Sequence, residues 1–325
     1  MAAANMKAVK LRIKSVQNTM QITKAMQLVA TSKLRKAKER ADNSKPYFNI
    51  LRDTLTRISV ENTDFQSPYT RESSNQKWLY VVIAGDRGLA GGYNANLFRF
   101  MEAETKGRDY AVLPIGKKSV EYFTNRKAEI FSEEFAEVAK VNVSDCFEIA
   151  KMICDAYRAG KFGHILLCYT NFVSMLSQTP GAVSLLPLSD FAARKAKEDK
   201  DAAEAADAAK DGKGNAAAKK ASFGTEFMDA KVKRTPGAAH ELILYEPSSE
   251  EVFNSIVPEY LAGLLYTGVN VSVASELAAR RMAMEAATDN AQEMIEKLSL
   301  FYNRARQASI TQEITEIVAG AEGGG

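Results

Sequence analysis

The first 45 residues contain neither glycine nor proline, and their apolar positions recur at intervals of three and four. Val9, Ile13, Val16 and Met20 form one line. Ile22, Met26 and Val29 continue on a neighbouring stripe, followed by Leu34, Ala37 and Ala41. This spacing predicts a helix whose narrow apolar side rests on one partner helix. Beyond Pro46 the same steps resume at Phe48, Leu51, Leu55 and Ile58, so the proline is expected to kink the helix without ending it. The far end of the chain reads alike. Ser248 and Glu251 have the spacing of a capping box, and Pro258 is expected to bend the chain. After Gly268 no glycine or proline occurs until Gly320. Val273, Leu277, Met284, Ala291, Ile295, Leu298, Phe301 or Tyr302, Ala305, Ile310, Ile314 and Ile317 supply an apolar line. Roughly 50 helical residues would extend about 75 Å, beyond the diameter of a compact domain of this size. Such a helix needs a partner along its length, and the N-terminal helix is the expected one.

The middle of the chain has another rhythm. Trp78–Ala84, Tyr110–Ile115 and Ile165–Tyr169 are short aliphatic and aromatic runs of strand length. Helical segments are expected between them at Ala95–Thr105, Lys117–Thr124 and Ser144–Ala159, the last capped by Ser144 and ended by Gly160. Further strands are expected around Leu176–Leu186 and Glu241–Tyr245. Alternation of strand and helix predicts a mostly parallel sheet. Between these lies Ala192–Ser222, with 13 alanines and 14 charged residues among 31 positions and no larger apolar side chain. That composition predicts a solvent-exposed insertion, since it offers too little surface to bury.

These patterns divide the 325 residues into an N-terminal helix (1–60), an α/β domain (76–190 and 236–247), an exposed insertion (191–235), a C-terminal helix (248–320) and a fraying tail (321–325). The fold class expected is α/β plus a long antiparallel two-helix coiled coil made by the two chain ends.

Composition changes little in this picture. The net charge of +3 gives no global bias toward nucleic acid, and no apolar leader segment is seen at the N-terminus. The three cysteines, Cys146, Cys154 and Cys168, form no C-x-x-C pair, and the two histidines, His164 and His240, are isolated. A disulfide framework and a metal site are therefore not expected. The uncharged stretch Tyr260–Ser275 carries Thr267, Asn270, Ser272 and Ser275 and is shorter than the roughly 20 apolar residues of a membrane span, so it is read as buried in protein.

The loop Gly85-Asp86-Arg87-Gly88-Leu89-Ala90-Gly91-Gly92 follows a strand and opens a helix, as phosphate-binding loops do. It matches neither G-x-G-x-x-G nor the G-K-[ST] ending of a P-loop. Gly116-Lys117-Lys118-Ser119 offers a lysine and a serine, but Ala111 stands where a P-loop needs its first glycine. The loop is therefore expected to be a tight strand-to-helix connection, with Asp86 and Arg87 as a local ion pair or a partner contact. No second carboxylate, histidine or cysteine completes an acid–base set. No catalytic, cofactor-binding or metal-binding residues are expected.

Charge distribution is more informative than its sum. Residues 1–40 carry ten Lys or Arg against one acid, Glu39. Such a run is a solvated helix face or a grip for an acidic protein surface. Nucleic acid is disfavoured because no aromatic accompanies the cations. From Gln307 to Ala321 the only charges are Glu313 and Glu316. That end reads either as a buried terminal helix or as a smooth tip for an apolar socket.

Three segments carry a specific resemblance. Arg12–Lys36, RIKSVQNTMQITKAMQLVATSKLRK, resembles the N-terminal helix of the gamma subunits of F-type ATP synthases. Ser275–Ala319 resembles their C-terminal helix, and Asp86-Arg87-Gly88-Leu89-Ala90-Gly91 the loop after their first strand. The resemblance covers the chain outside about Asp190–Arg234. It implies a central rotor shaft mounted on a Rossmann-like middle domain, with ATP bound elsewhere. It also implies as partners the alpha and beta subunits of the catalytic hexamer, the epsilon subunit and the membrane c-ring, at the cytoplasmic face of the bacterial inner membrane. By the same resemblance Lys24, Met26 and Arg280, together with Arg306, Gln307, Thr311 and Glu313, are expected at contacts between rotor and catalytic subunits. Gly85, Asp86, Arg87, Gly88 and Gly91 are expected to form a structural loop. Plant-type members carry a regulatory segment with two cysteines near the insertion. Here it holds no cysteine, so thiol switching through it is not expected. The competing expectations are a nucleotide-dependent enzyme using Gly85–Gly92 and a nucleic-acid-binding coiled coil.

Overall fold

The computed structural model describes residues 2–61, 67–71, 73, 75–188 and 245–322. Its elements are α1 (Ala2–Glu61), β1 (Trp78–Ile83), α2 (Tyr93–Glu104), β2 (Tyr110–Ile115), α3 (Lys117–Asn125), β3 (Glu129–Ile130), α4 (Val143–Arg158), β4 (His164–Phe172), β5 (Gln178–Leu186) and α5 (Ser249–Glu322). The chain divides into two compact units, Met1–Ser32 with Arg280–Gly325, and Lys33–Ala279.

The second unit holds a five-stranded sheet in the order β3-β2-β1-β4-β5. β1 pairs in parallel with β2 and β4, and β2 with β3, while β5 returns antiparallel to β4 through a hairpin. The central strands are covered on both faces, which is why they read as unbroken apolar runs and not as alternating ones. On one face Tyr80, Val82, Val112 and Cys168 meet Leu97 and Met101 of α2 and Phe123 of α3. On the other, Gly268 of α5 lies against Ile83 and Leu167.

Helix boundaries follow local chemistry. α4 is capped by Asn142 and not by the expected Ser144. Asn142 accepts the Asp145 amide at 3.2 Å, and the Asp145 carboxylate accepts the Asn142 amide at 2.9 Å. This reciprocal pair satisfies two amides at once, which Ser144 cannot do from inside the first turn. Gly160 closes the helix as expected, at φ 68°. α5 starts where Ser248 accepts the Glu251 amide at 3.2 Å. Pro46 and Pro258 both lie inside their helices. The insertion and the strand expected at Glu241–Tyr245 lie outside the described residues, save Tyr245, which is not in a strand.

α1 and α5 form an antiparallel pair with a regular seam. Among the shielded residues of α1 one line has steps of three and four, through Met6, Val9, Ile13, Val16, Met20, Thr23, Gln27 and Ala30 in the first unit and through Leu34, Ala37, Ala41, Ser44, Phe48, Leu51, Leu55 and Ile58 in the second. Alternating steps of three and four are the heptad rhythm of a coiled-coil seam. Along α5 the same rhythm runs through Leu277, Arg281, Met284, Thr288, Ala291, Ile295, Leu298, Tyr302, Ala305 and Ser309. The Thr23 and Thr288 hydroxyls meet at 2.7 Å and set the register of the first unit. Steps of seven from that pair place Val16 level with Ile295 and Val9 level with Tyr302. In the second unit Phe48 closes over Gly263.

The neighbouring stripe expected on α1 is corrected. Ile22 and Val29 are 61% and 55% exposed, and the seam passes instead through Thr23, Gln27 and Ala30. Small or hydroxyl residues serve there because the Thr side chains bond each other and the preceding carbonyls of Met20 and Met284. On α5, Tyr302 takes the seam position and Phe301 is 51% exposed.

Candidate functional site

The described residues present three candidate surfaces, two on the helix pair and one in the α/β domain. The first is cationic. Of the ten Lys and Arg of residues 1–40 all but Lys38 are exposed, and they surround an apolar seam. Lys38 lies over the Phe172 ring at 4.0 Å, where burial lowers its pKa against a smaller raising effect of Asp42. The second is apolar. Ile310, Ile314 and Ile317 are 47%, 56% and 71% exposed. The register leaves no described α1 residue to cover α5 beyond Ser309. The expectation of a buried terminal helix is thereby set aside in favour of a bare tip. The third is the loop between β1 and α2.

Among the expected contact residues, Lys24, Arg306, Gln307, Thr311 and Glu313 are exposed, and Met26 and Arg280 are half-buried. All lie off the seam. The Thr311 hydroxyl donates to the Gln307 carbonyl at 2.9 Å, and Ser309 donates to the Glu313 carboxylate at 3.4 Å. The structure brings Arg306, Gln307, Thr311 and Glu313 together on the last turns of α5. It does not bring them to Lys24 by any direct contact among the described residues. Arg281, next to Arg280, occupies a seam position instead.

The loop is organised by Asp86. Its Oδ1 accepts the amides of Lys117 at 3.1 Å and Val138 at 3.0 Å, and its Oδ2 accepts that of Ala139 at 3.0 Å. Backbone amides are the stronger claim on this carboxylate, so the expected Asp86–Arg87 ion pair does not form among the described residues, and Arg87 is exposed. The loop's glycines are unequal. Gly88 has open space around it and no left-handed backbone, whereas Gly91 adopts φ 55° and Leu89 φ 61°. Leu89 is 66% exposed at the turn.

The crevice at the carboxyl end of β1, where an α/β sheet places a phosphate, is filled from within. A Cβ on Gly85 would lie 2.8 Å from Cδ of Glu276, a residue of α5 that is 7% exposed. A carboxylate in that position repels a phosphate, which argues against the nucleotide-enzyme reading. Glu276, Tyr93, Ser272 and Ser275 were not singled out by sequence motifs. For Ser272 and Ser275 the signal is the presence of hydroxyls inside the apolar run Tyr260–Ser275; Glu276 and Tyr93 carry no such local signal.

The described histidine and the three cysteines lie in packed surroundings. His164 stacks on Trp78 at 4.3 Å, with the Arg108 guanidinium over the same indole. Burial pushes the Cys146 and Cys154 thiols up to about 12 and raises that of Cys168 further, so all three stay protonated and unreactive at neutral pH. His240 lies outside the described residues. α5 contains a stretch apolar enough by composition to cross a membrane, but 89% of that stretch is buried in the protein.

Comparison with known proteins gives a consistent result. The model of the family described as ATP synthase matches residues 5–323. The ATP synthase gamma chain of Ruminococcus albus is 42% identical over 320 residues, covering 97% of this chain and 96% of that one. The sodium-ion-specific ATP synthase gamma chain of Acetobacterium woodii is 36% identical over 321 residues, covering 98% and 99%. Among solved structures, the rotor of the Euglena gracilis mitochondrial ATP synthase shares the fold with a TM-score of 0.56 at 18% identity, covering 95% of this chain and 99% of that one.

Proposed function

Because the chain belongs to the ATP synthase family and is similar throughout to its gamma chains, we propose that its paired helices turn inside a ring of catalytic subunits. It is a non-catalytic subunit of a membrane-associated complex, the central rotor that couples ion flow to ATP synthesis or hydrolysis. The observation that carries the mechanical reading is the bare end of α5. Exposed isoleucines cost about 25 cal/mol for each Å² of apolar surface left in water. On a nearly uncharged tip they suit an apolar socket in which a helix must turn without forming directional bonds. The exposed cations of α1 suit acidic protein surfaces that approach and recede as the shaft rotates. Lys24, Met26 and Arg280, with Arg306, Gln307, Thr311 and Glu313, are the side chains we assign to contacts with the alpha and beta subunits. The α/β domain is assigned to the epsilon subunit and the membrane c-ring, at the cytoplasmic face of a bacterial inner membrane.

Reassembly tests this directly. The purified chain alone is expected to turn over no ATP. Added to alpha and beta subunits, it should copurify with the hexamer and make hydrolysis depend on its presence. Stoichiometric turnover by the isolated chain, or hexamer activity indifferent to it, would refute the reading.

A further inference from the structure

α5 meets the sheet through small and polar side chains. A Cβ on Gly268 would lie 2.8 Å from Cδ2 of Leu167, so helix and strand are already at close approach. One turn on, Ser272 donates to the Ile83 carbonyl at 3.4 Å, and its oxygen lies 2.6 Å from the Tyr93 hydroxyl, which then acts as donor. Ser275 donates to the Thr170 carbonyl at 2.9 Å while also reaching Val271 of its own helix. All these groups are buried. Ile83 ends β1 and Thr170 lies near the end of β4, so the helix is fixed at two points on neighbouring strands. Glu276 provides a third. Its carboxylate fills the space beside Gly85, with Cδ 2.8 Å and Oε1 2.9 Å from where a Cβ would stand. Gly85 is itself held, its amide donating to Asn94 at 3.0 Å and its carbonyl accepting the Lys118 amide at 3.0 Å.

Apolar contacts alone are non-directional, and packed helices governed by them can slip by a turn. Hydrogen bonds to fixed carbonyls, with a side chain keyed into a glycine, set both the height and the rotation of the helix. We propose that this seam is the joint that makes the sheet and α5 turn as one body, with Glu276 as a positioning residue seated against Gly85. The proposal rests on the rotor reading above and adds where torque passes between the α/β domain and the shaft helix.

The test is Gly85→Ala in the reassembled complex in vesicles, reading ATP hydrolysis and ATP-driven ion uptake together. The new methyl group meets the far end of a flexible side chain, so the chain folds and the carboxylate is displaced. Hydrolysis should persist while ions moved per ATP fall about two-fold or more, as overpacking shifts the joint. Adding Glu276→Asp, which withdraws the carboxylate by one methylene, should restore the ratio. Ser275→Ala removes an anchor and adds no bulk, so it should lower the ratio too. An unchanged ratio in both Gly85→Ala and Ser275→Ala complexes overturns the joint, as does a loss of uptake strictly proportional to hydrolysis or a failure of the Asp rescue. A wild-type complex that moves no ions would overturn the rotor reading itself.

Discussion

Position 263 shows how much one hydrogen atom can decide. A Cβ there would fall 2.0 Å from Cδ1 of Phe48, a ring that is itself 4% exposed and held on α1. Glycine is needed for close approach and not for an unusual backbone. Gly263→Ala should therefore destabilise the isolated chain by about 1–3 kcal/mol through overpacking, seen as a lower urea midpoint at unchanged slope. An unaltered midpoint would mean that the ring moves aside freely. Asp86 makes the complementary point about legibility. The sequence marks it as special because it stands between glycines after a strand. Its three amide partners, at 117, 138 and 139, come from two later segments that no local pattern links to it.

At the scale of the element, the helix seam was legible wherever its positions were apolar. Val9 to Met20, Leu34 to Ala41 and Phe48 to Ile58 fall where their spacing puts them. The reading left the seam at Thr23 and Gln27, because hydrophobicity moved to Ile22 and Met26 while the heptad did not. The seam tolerates polar residues when they bond each other, as Thr23 and Thr288 do. Met26 consequently sits beside the seam, half-buried. Met26→Lys should leave the melting temperature of the isolated chain nearly unchanged, within about 0.5 kcal/mol of stability, as surface substitutions do. In the reassembled complex it should lower ions moved per ATP, since it adds a charge to a surface that slides. Equal losses of assembly and coupling would count against that contact.

At the scale of the whole molecule, the two units differ in how they are held. The sheet of the second unit is covered on both faces, with Leu79 to Ile83 fully buried. The first unit is a two-helix pair, and each helix leaves most of its surface in water. Regions with little buried apolar surface open more readily. Amides of residues 6–32 and 280–315 should therefore exchange with deuterium faster than those of β1, β2 and β4 in the isolated chain. Binding into a ring of catalytic subunits should slow the helix amides and leave the strands as they were. Equal protection before assembly would contradict this.

The sequence by itself determined the two long helices, the strands β1, β2, β4 and β5 and the helices between them, since strand runs and helix periods are local in the chain, whereas the two-residue β3 and the Asn142 cap of α4 were not legible in it. It also determined the family, because long segments at both ends and the loop after β1 stand in order. Only the tertiary structure decided the register of α1 on α5, the exposure of Ile310, Ile314 and Ile317, and the seating of Glu276 against Gly85. Each of these depends on which residue far along the chain comes to lie opposite, and such distances are fixed when the core closes.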